Sequence, residues 1–212
     1  MSTKNTSQFN MYGYKDLVTN VFNKIYPVIA KQVIEYTEIK KGVCLDIGSG
    51  TGDLGVEIAK LTNMTVYLMD ISLDGKNIAN EKIKNENLVN RVIPIVGDVH
   101  NIPFNNNSID LIVSRSSYRF WKDKTKAFKE IYRVLRKGGK AYIGKGYGNE
   151  ILKEEIEKTM FKINPQKWYP GKKEMNLEEF KEYFYKALEE NQIGKYDFIS
   201  NKSGNWLVIE KE

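Results

Sequence analysis

The sequence predicts a doubly wound α/β domain with a mostly parallel sheet, and three observations predict it. From Val43 to Gly144, short apolar runs alternate with amphipathic stretches of helical period. Alternation at that spacing builds βαβ units, whose strands run parallel. The first apolar run ends in a glycine-rich turn, Gly48-Ser49-Gly50-Thr51-Gly52, which opens onto a helical pattern starting near Asp53. Near the end of the chain, Tyr196–Ser200 and Trp206–Ile209 flank Asn201-Lys202-Ser203-Gly204-Asn205. That is a hairpin signal, and it adds an antiparallel pair to the parallel strands.

The elements follow in order. Met1 to Asn10 is polar and reads as a mobile tail. Between Lys15 and Tyr36 apolar residues recur every three or four positions, and Pro27 predicts a break into two helices. Strands are expected at Val43–Ile47, Thr65–Met69, Val92–Val96, Ile109–Val113 and Lys140–Gly144, with helices near Asp53–Leu61, Asp74–Asn85 and Thr125–Arg136 between them. Gly138-Gly139 is expected to end the last of these helices. Ile151–Ile163 reads as a helix and Pro165 through Gly171 as a loop. Asn176 then caps a further helix, with Glu179 in the reciprocal position of a capping box.

Composition bounds the function. The 212 residues are 41% hydrophobic and 28% charged, ordinary globular values that exclude a wholly disordered chain. A domain of this size needs no disulfide or structural metal to fold, and no metal is expected. The sole cysteine, Cys44, lies inside the first strand and reads as a buried small hydrophobe. With no apolar segment at the start and no run of about 18 apolar residues, neither a secretory signal nor a membrane span is expected, and a cytoplasmic location follows. The net charge of +6 is local: Arg115 to Lys145 carries +9 and the remainder of the chain sums to −3. Lys126, Lys129, Arg133 and Arg136 recur at helical spacing and are expected on a solvated face.

The glycine turn lets the backbone approach a ligand closely, and the helix N-terminus behind it favours a negative group. Gly50-Thr51-Gly52-Asp53-Leu54-Gly55 also satisfies the dinucleotide fingerprint, so the turn alone is ambiguous. Asp70 ends the second strand, where a carboxylate can accept both hydroxyls of a ribose. Asp98 follows the third strand and can read an adenine amino edge, with Ile71 and Val99 as apolar contacts.

The series L-D-I-G-S-G-T-G, M-D-I-S, G-D-V-H-N-I-P-F, S-I-D-L-I-V-S and Y-R-V-L-R-K-G-G-K, in order from Gly42 to Gly148, resembles the class I S-adenosylmethionine-dependent methyltransferases. It is most similar to the branch that includes the ubiquinone/menaquinone-biosynthesis enzymes. The resemblance implies a Rossmann-like seven-stranded sheet whose last strand is antiparallel. It divides the chain into a tail and helical lid at 1–39 and a methyltransferase domain at 40–212, with inserted helices around 150–191. It implies S-adenosylmethionine as cofactor and S-adenosylhomocysteine as product. Gly48 and Gly50 would face the methionine part, with Ser49 in the same loop and Asp46 bracing it. Asp70 would bind the ribose, Ile71 and Val99 would sandwich adenine, Asp98 would hold its amino group, and Ser114 would lie near the methionine moiety.

Methyl transfer is an in-line displacement in which orientation and desolvation supply most of the rate, so no dedicated base is obligatory. His100, the sole histidine, suits a general base by type, although a surface or supporting role fits its position as well. Arg115, Tyr118, Arg119 and Lys145 fall at the carboxyl edge of the sheet and, with Tyr14 from the lid, form the expected substrate-facing set. Arg115 and Arg119 can clamp a carboxylate or phosphate, or can pair with a local acid such as Asp123. Tyr118 and Trp121 can wall the pocket.

The leading expectation is methyl transfer to a small, anionic acceptor. One rival is an RNA methyltransferase that uses the basic 115–145 stretch. The other is an NAD-type oxidoreductase, with Tyr118-x-x-x-Lys122 as its tyrosine–lysine pair. Tyr36/Lys40 and Tyr169/Lys173 show the same spacing, so that pair carries little information.

Overall fold

The computed structural model describes residues 10–169 and 174–212. Most of the expected polar tail, the end of the Pro165–Gly171 loop and Lys173 of the last tyrosine–lysine pair lie outside the described residues.

The chain opens with α1 (Met11–Leu17), whose N-terminus is capped by Asn10 accepting from the Gly13 amide. A π-helical turn, Val18–Phe22, leads into α2 (Ile25–Thr37). The proline break falls earlier than expected. Pro27 sits in the first turn of α2, where a missing N–H costs nothing, and the irregularity lies at Asn23 and Lys24.

Strands and helices then alternate: β1 (Val43–Ile47), α3 (Asp53–Leu61), β2 (Thr65–Asp70), α4 (Leu73–Asn85), β3 (Val92–Val96) and β4 (Ile109–Arg115). They continue with α5 (Lys124–Val134), β5 (Leu135–Gly146), α6 (Glu150–Ile163), α7 (Leu177–Glu190), β6 (Tyr196–Asn201) and β7 (Gly204–Glu210). The capping box at α7 forms as expected: Asn176 accepts from the Glu179 amide and Glu179 from the Asn176 amide.

The seven strands lie in the order β3-β2-β1-β4-β5-β7-β6. Only β7 runs against the rest, pairing antiparallel with both β5 and β6. Gly138-Gly139 does not end α5. The helix stops at Val134, and the two glycines lie within β5, opposite a register irregularity in β4 between Ile109 and Leu111.

Each strand feeds two apolar layers because successive side chains point to opposite faces. Cys44, Val66, Leu111 and Val113 face the layer built with α2, α3 and α6. Leu45, Ile47, Ile112 and Ile143 face the layer of α5 and α7, where Phe128, Phe180 and Phe184 are fully enclosed. Cys44 is buried, and burial pushes its thiol well above the usual range, so it is not a nucleophile.

Two of the basic residues expected on a solvated face of α5 make ion pairs, Arg133 half-buried and Arg136 still exposed. Arg133 pairs with Glu130 through Nε and Nη2 at 2.7 Å each, and donates to the Ile102 and Phe104 carbonyls and to Asn106, pinning the loop before β4. Arg136 pairs with Asp110 at 2.9 Å. Among the described residues, no helix is long and apolar enough to cross a membrane.

Candidate functional site

The strand order reverses between β1 and β4, which is where open α/β sheets bind ligands. A cleft of about 2100 Å³ opens there. Its floor is the turn after β1. Gly48 and Gly50 have φ of +66° and +55°, a left-handed conformation that favours glycine, and a side chain on Gly48 would collide with Ser117 Cβ at 2.3 Å. The Gly48 and Ser49 amides both donate to the Met69 carbonyl, at 2.8 and 3.1 Å, tying the turn to the end of β2.

Asp70 organises the next layer. Its Oδ2 accepts from the Gly50 amide at 2.8 Å and its Oδ1 from the Ser72 amide at 2.9 Å. A carboxylate has about four acceptor positions, so one on each oxygen remains for a pair of hydroxyls. Beside it Ile71 is 75% exposed, an apolar side chain with no protein cover, and it lines the cleft with Val99.

Asp98 Oδ1 accepts from the His100 amide at 2.9 Å and contacts His100 Nδ1 at 2.6 Å. The Asp123 amide donates to His100 Nε2 at 3.1 Å. Nε2 is therefore the bare nitrogen and Nδ1 carries the proton donated to Asp98. Hydrogen bonds from His100 hold the Asp98 carboxyl below its ordinary range despite its partial burial. With both ring nitrogens engaged, His100 forms a strut between Asp98 and the start of α5.

Four expected residues do not line the cleft. Ser49 is held by its amide. Ser114 is fully buried and meets Ser117 Oγ at 2.6 Å, while Ser117 donates on to the Ile47 carbonyl at 3.0 Å. Ser117, two residues beyond β4, does line the cleft. Asp46 lies beneath the turn and accepts from the Gly55 amide at 3.0 Å, bracing the first turn of α3 and not the glycine loop itself. Burial pushes its carboxyl up to about 7, the Gly55 amide lowers it, and Asp70 and Asp53 add to the rise.

Tyr118 is a correction. It is 1% exposed and sits edge-on among Phe180, Tyr183 and Phe184, because the short 3-10 turn Ser117–Phe120 directs it inward beneath α7. Trp121 both lines the cleft and packs against Phe128.

At the other end of the cleft the cations gather. The Arg115 guanidinium lies 5.4 Å from the Tyr26 ring centre and 5.8 Å from that of Phe22, and its Nε donates to the Gly146 carbonyl at 3.0 Å. Arg119 makes one long contact, 3.4 Å to the Tyr118 hydroxyl. Neither arginine has a carboxylate partner among the described residues. Asp123, the local acid that could have paired with them, caps α5 instead.

Lys145 does point into the cleft and pairs with Glu174 at 2.6 Å. Lys153 joins the same carboxylate at 3.0 Å, and the Tyr147 hydroxyl donates to it at 3.3 Å. Glu174 and Lys153 escape sequence reasoning because nothing local links them to the end of β5. Tyr14 lies over Gly50, and its hydroxyl bonds with that of the buried Tyr26.

A glycine turn at the switch point, flanked by carboxylates at the ends of β2 and β3, defines an α/β domain for a nucleotide-bearing cofactor. Residues 45–143 match the methyltransferase domain family. A solved S-adenosyl-L-methionine-dependent methyltransferase from Methanococcus maripaludis is 39% identical, covers 100% of this chain and 97% of its own, and superposes with a TM-score of 0.91. The ubiquinone/menaquinone biosynthesis C-methyltransferase UbiE of Blochmanniella pennsylvanica is 29% identical over 68% of this chain and 67% of its own length. UbiE of Pseudoalteromonas translucida is 34% identical over 53% and 46%. The chain thus spans about half to two thirds of these curated relatives.

This chain belongs to the class I S-adenosylmethionine-dependent methyltransferases, and S-adenosylmethionine is its cofactor. The dinucleotide reading of the glycine turn and the oxidoreductase alternative fall with that result. The residues present fit the cofactor: paired acceptors remain on Asp70, Asp98 Oδ2 carries no hydrogen bond among the described residues, and Ile71 offers an uncovered apolar face.

Proposed function

We propose that this protein transfers a methyl group from S-adenosylmethionine to a small acceptor that carries a carboxylate or phosphate. The bound cofactor supplies an electrophilic methyl carbon and a neutral leaving thioether. Asp70, Ile71, Asp98 and Val99 hold its nucleoside end, while Gly48, Gly50 and Ser117 border its methionine end. Tyr14 closes over the turn from α1, and Phe22, Phe120 and Trp121 exclude water from the acceptor side.

The observation that carries the reading is the pair Arg115 and Arg119, which face the cleft without a carboxylate among the described residues. Guanidinium groups with open Nη atoms are suited to bidentate capture of a carboxylate or phosphate. A protonated amine would be repelled there, and no free histidine stands by to deprotonate it.

A small acceptor is favoured over RNA because at least four of the eleven basic residues in the 115–145 stretch are already engaged by the protein's own groups. Arg133 and Arg136 pair with Glu130 and Asp110, Lys145 with Glu174, and Lys140 donates to the Thr37 carbonyl.

The test is transfer of labelled methyl to small carboxylic and phosphorylated acceptors, compared with amines and uncharged alcohols. Acidic acceptors are expected to turn over at least tenfold faster. A preference for amines would overturn the reading. Binding of RNA that weakens by about one power of salt concentration per phosphate neutralised would favour the rival.

A further inference from the structure

Lys145 closes β5 at the cleft, where its side chain is largely buried. Burial lowers its affinity for a proton, Glu174 restores part of it, and Arg119 and Arg115 lower it again. A cation in that position needs an anion, and one is present. Glu174 reaches in from the segment preceding α7 and takes Lys145 at 2.6 Å, Lys153 at 3.0 Å and the Tyr147 hydroxyl at 3.3 Å. Two ammonium groups and a phenol converging on one carboxylate, with two open guanidiniums nearby, form an oxyanion site built before any ligand arrives.

Glu174 is the least enclosed member. Its side chain is 32% exposed against 22% for Lys145 and 24% for Lys153, and it comes from a connecting segment, whereas Lys145 and Lys153 project from β5 and α6. Although burial alone would raise its carboxyl, the two lysines bring it down to about 2, so it stays ionised throughout the physiological range. The cationic side of the cluster stands on a strand and a helix, and the anionic side on a connecting segment.

We infer that Glu174 holds the place of the acceptor's anionic group, and that a carboxylate or phosphate on the acceptor displaces it from Lys145, Lys153 and Tyr147. This deepens the proposed function and rests on its anionic acceptor. The exchange replaces one oxyanion by another, so the buried lysine is never left without a partner, which would be the costly state. It also sets selectivity: a neutral acceptor cannot open the pair, and Glu174 stays in the way.

The test is binding of anions without turnover, by calorimetric titration of the full chain with sodium phosphate and, separately, sodium acetate. Glu174→Gln removes the competing charge and is expected to bind at least one anion tenfold or more tighter than wild type. The tighter of the two names the group. Glu174→Asp keeps the charge but shortens its reach and is expected to gain a few-fold. In the double variant Lys145→Met/Glu174→Gln the gain should vanish. S-adenosylmethionine titrations of each variant verify the fold.

If neither Glu174 variant binds anions more tightly, the carboxylate is a fixed structural ion pair and the inference fails. It fails equally if the gain survives in the double variant. The readout is separate from methyl transfer. Acidic acceptors that turn over while Glu174→Gln shows no gain sink this inference alone, and tighter anion binding without turnover of any acid sinks the proposed acceptor.

Discussion

Tyr14 lies directly across Gly50: a β-carbon on that glycine would stand 3.2 Å from Tyr14 Cε1. The contact joins the first helix to the turn that borders the cofactor site. Gly50 also has φ of +55°, where an L-side chain costs about 1–2 kcal/mol. Gly50→Ala therefore strains the turn and pushes Tyr14 off it, disturbing the amide that Asp70 accepts. The affinity for S-adenosylmethionine is expected to fall at least tenfold, measured by calorimetry. Adding Tyr14→Ala relieves the contact but not the backbone strain, so it should recover only part of the loss. An unchanged affinity in Gly50→Ala would remove the turn from the cofactor site.

Asp70→Ala deletes the acceptor for the Gly50 and Ser72 amides together with the two open positions assigned to the ribose. Charge-assisted bonds contribute about 1.5–3 kcal/mol, which places the loss in cofactor affinity near two orders of magnitude. Asp70→Asn keeps one acceptor and should lose less. Equal affinity for wild type and the alanine variant would refute the assignment.

The sheet, and the places of Asp70 and Asp98 along its carboxyl edge, were readable because each depends on local pattern. Asp70 and Asp98 follow strands whose ends are marked by the apolar runs before them, so their place at the carboxyl edge is fixed by chain order. The acceptor end depends on the direction of one turn and on distant segments. Arg119 and Tyr118 are adjacent, yet the 3-10 turn sends Tyr118 into the core and leaves Arg119 in the cleft. No periodicity spans four residues well enough to decide that. Gly138-Gly139 failed for a related reason: a glycine pair after a helix marks a helix end or a strand irregularity alike, and the gap in the β4 register together with bonds to Lys211, just past β7, selects the second. The Glu174–Lys145 pair joins residues 29 apart with no shared motif.

His100 links Asp98 to the Asp123 amide, and both of its ring nitrogens are used. His100→Ala is thus expected to weaken cofactor binding several-fold by releasing Asp98. The pH dependence of kcat at saturating cofactor should be the same in wild type and variant. Initial rates between about pH 5.5 and 8.5 make the comparison, in the range where a histidine base would titrate. Loss of an ionisation from the kcat profile in the variant would restore His100 as a base.

Asp46 is buried beneath the glycine turn, and burial raises its carboxyl from 3.8 to about 7. The folded state then holds a proton that the unfolded chain has already released. The stabilising contribution is full below about pH 4 and is lost as pH rises to 7, with no further change above that. Each tenfold change in proton affinity is worth about 1.4 kcal/mol, so the loss between pH 4 and 7 is roughly 4 kcal/mol. Asp46→Asn keeps the acceptor for the Gly55 amide without the charge. Its stability relative to wild type, measured by urea unfolding, should increase steadily from pH 4 to 7 and then level off. A difference that stays constant with pH would show that Asp46 does not titrate there.

Arg115 and Arg119 both line the cleft, but they are not equivalent tests of the proposed anionic acceptor. Arg115 packs against Phe22 and Tyr26 and holds the Gly146 carbonyl, so its removal also loosens the packing of the N-terminal helices. Arg119 is exposed and, among the described residues, touches only Tyr118, through its hydroxyl at 3.4 Å and its ring, so little else depends on it. Arg119→Ala is expected to raise the KM of an acidic acceptor about tenfold, as loss of a solvent-accessible charge-assisted contact would. The S-adenosylmethionine affinity should stay within about twofold, because among the described residues Arg119 bonds to neither Asp70 nor Asp98. Arg119→Lys should recover part of the KM, since it keeps the charge but loses the bidentate fork. Initial rates at saturating cofactor separate the terms. A change in cofactor affinity with an unchanged acceptor KM would move Arg119 out of the acceptor site and leave the anionic preference without its principal support.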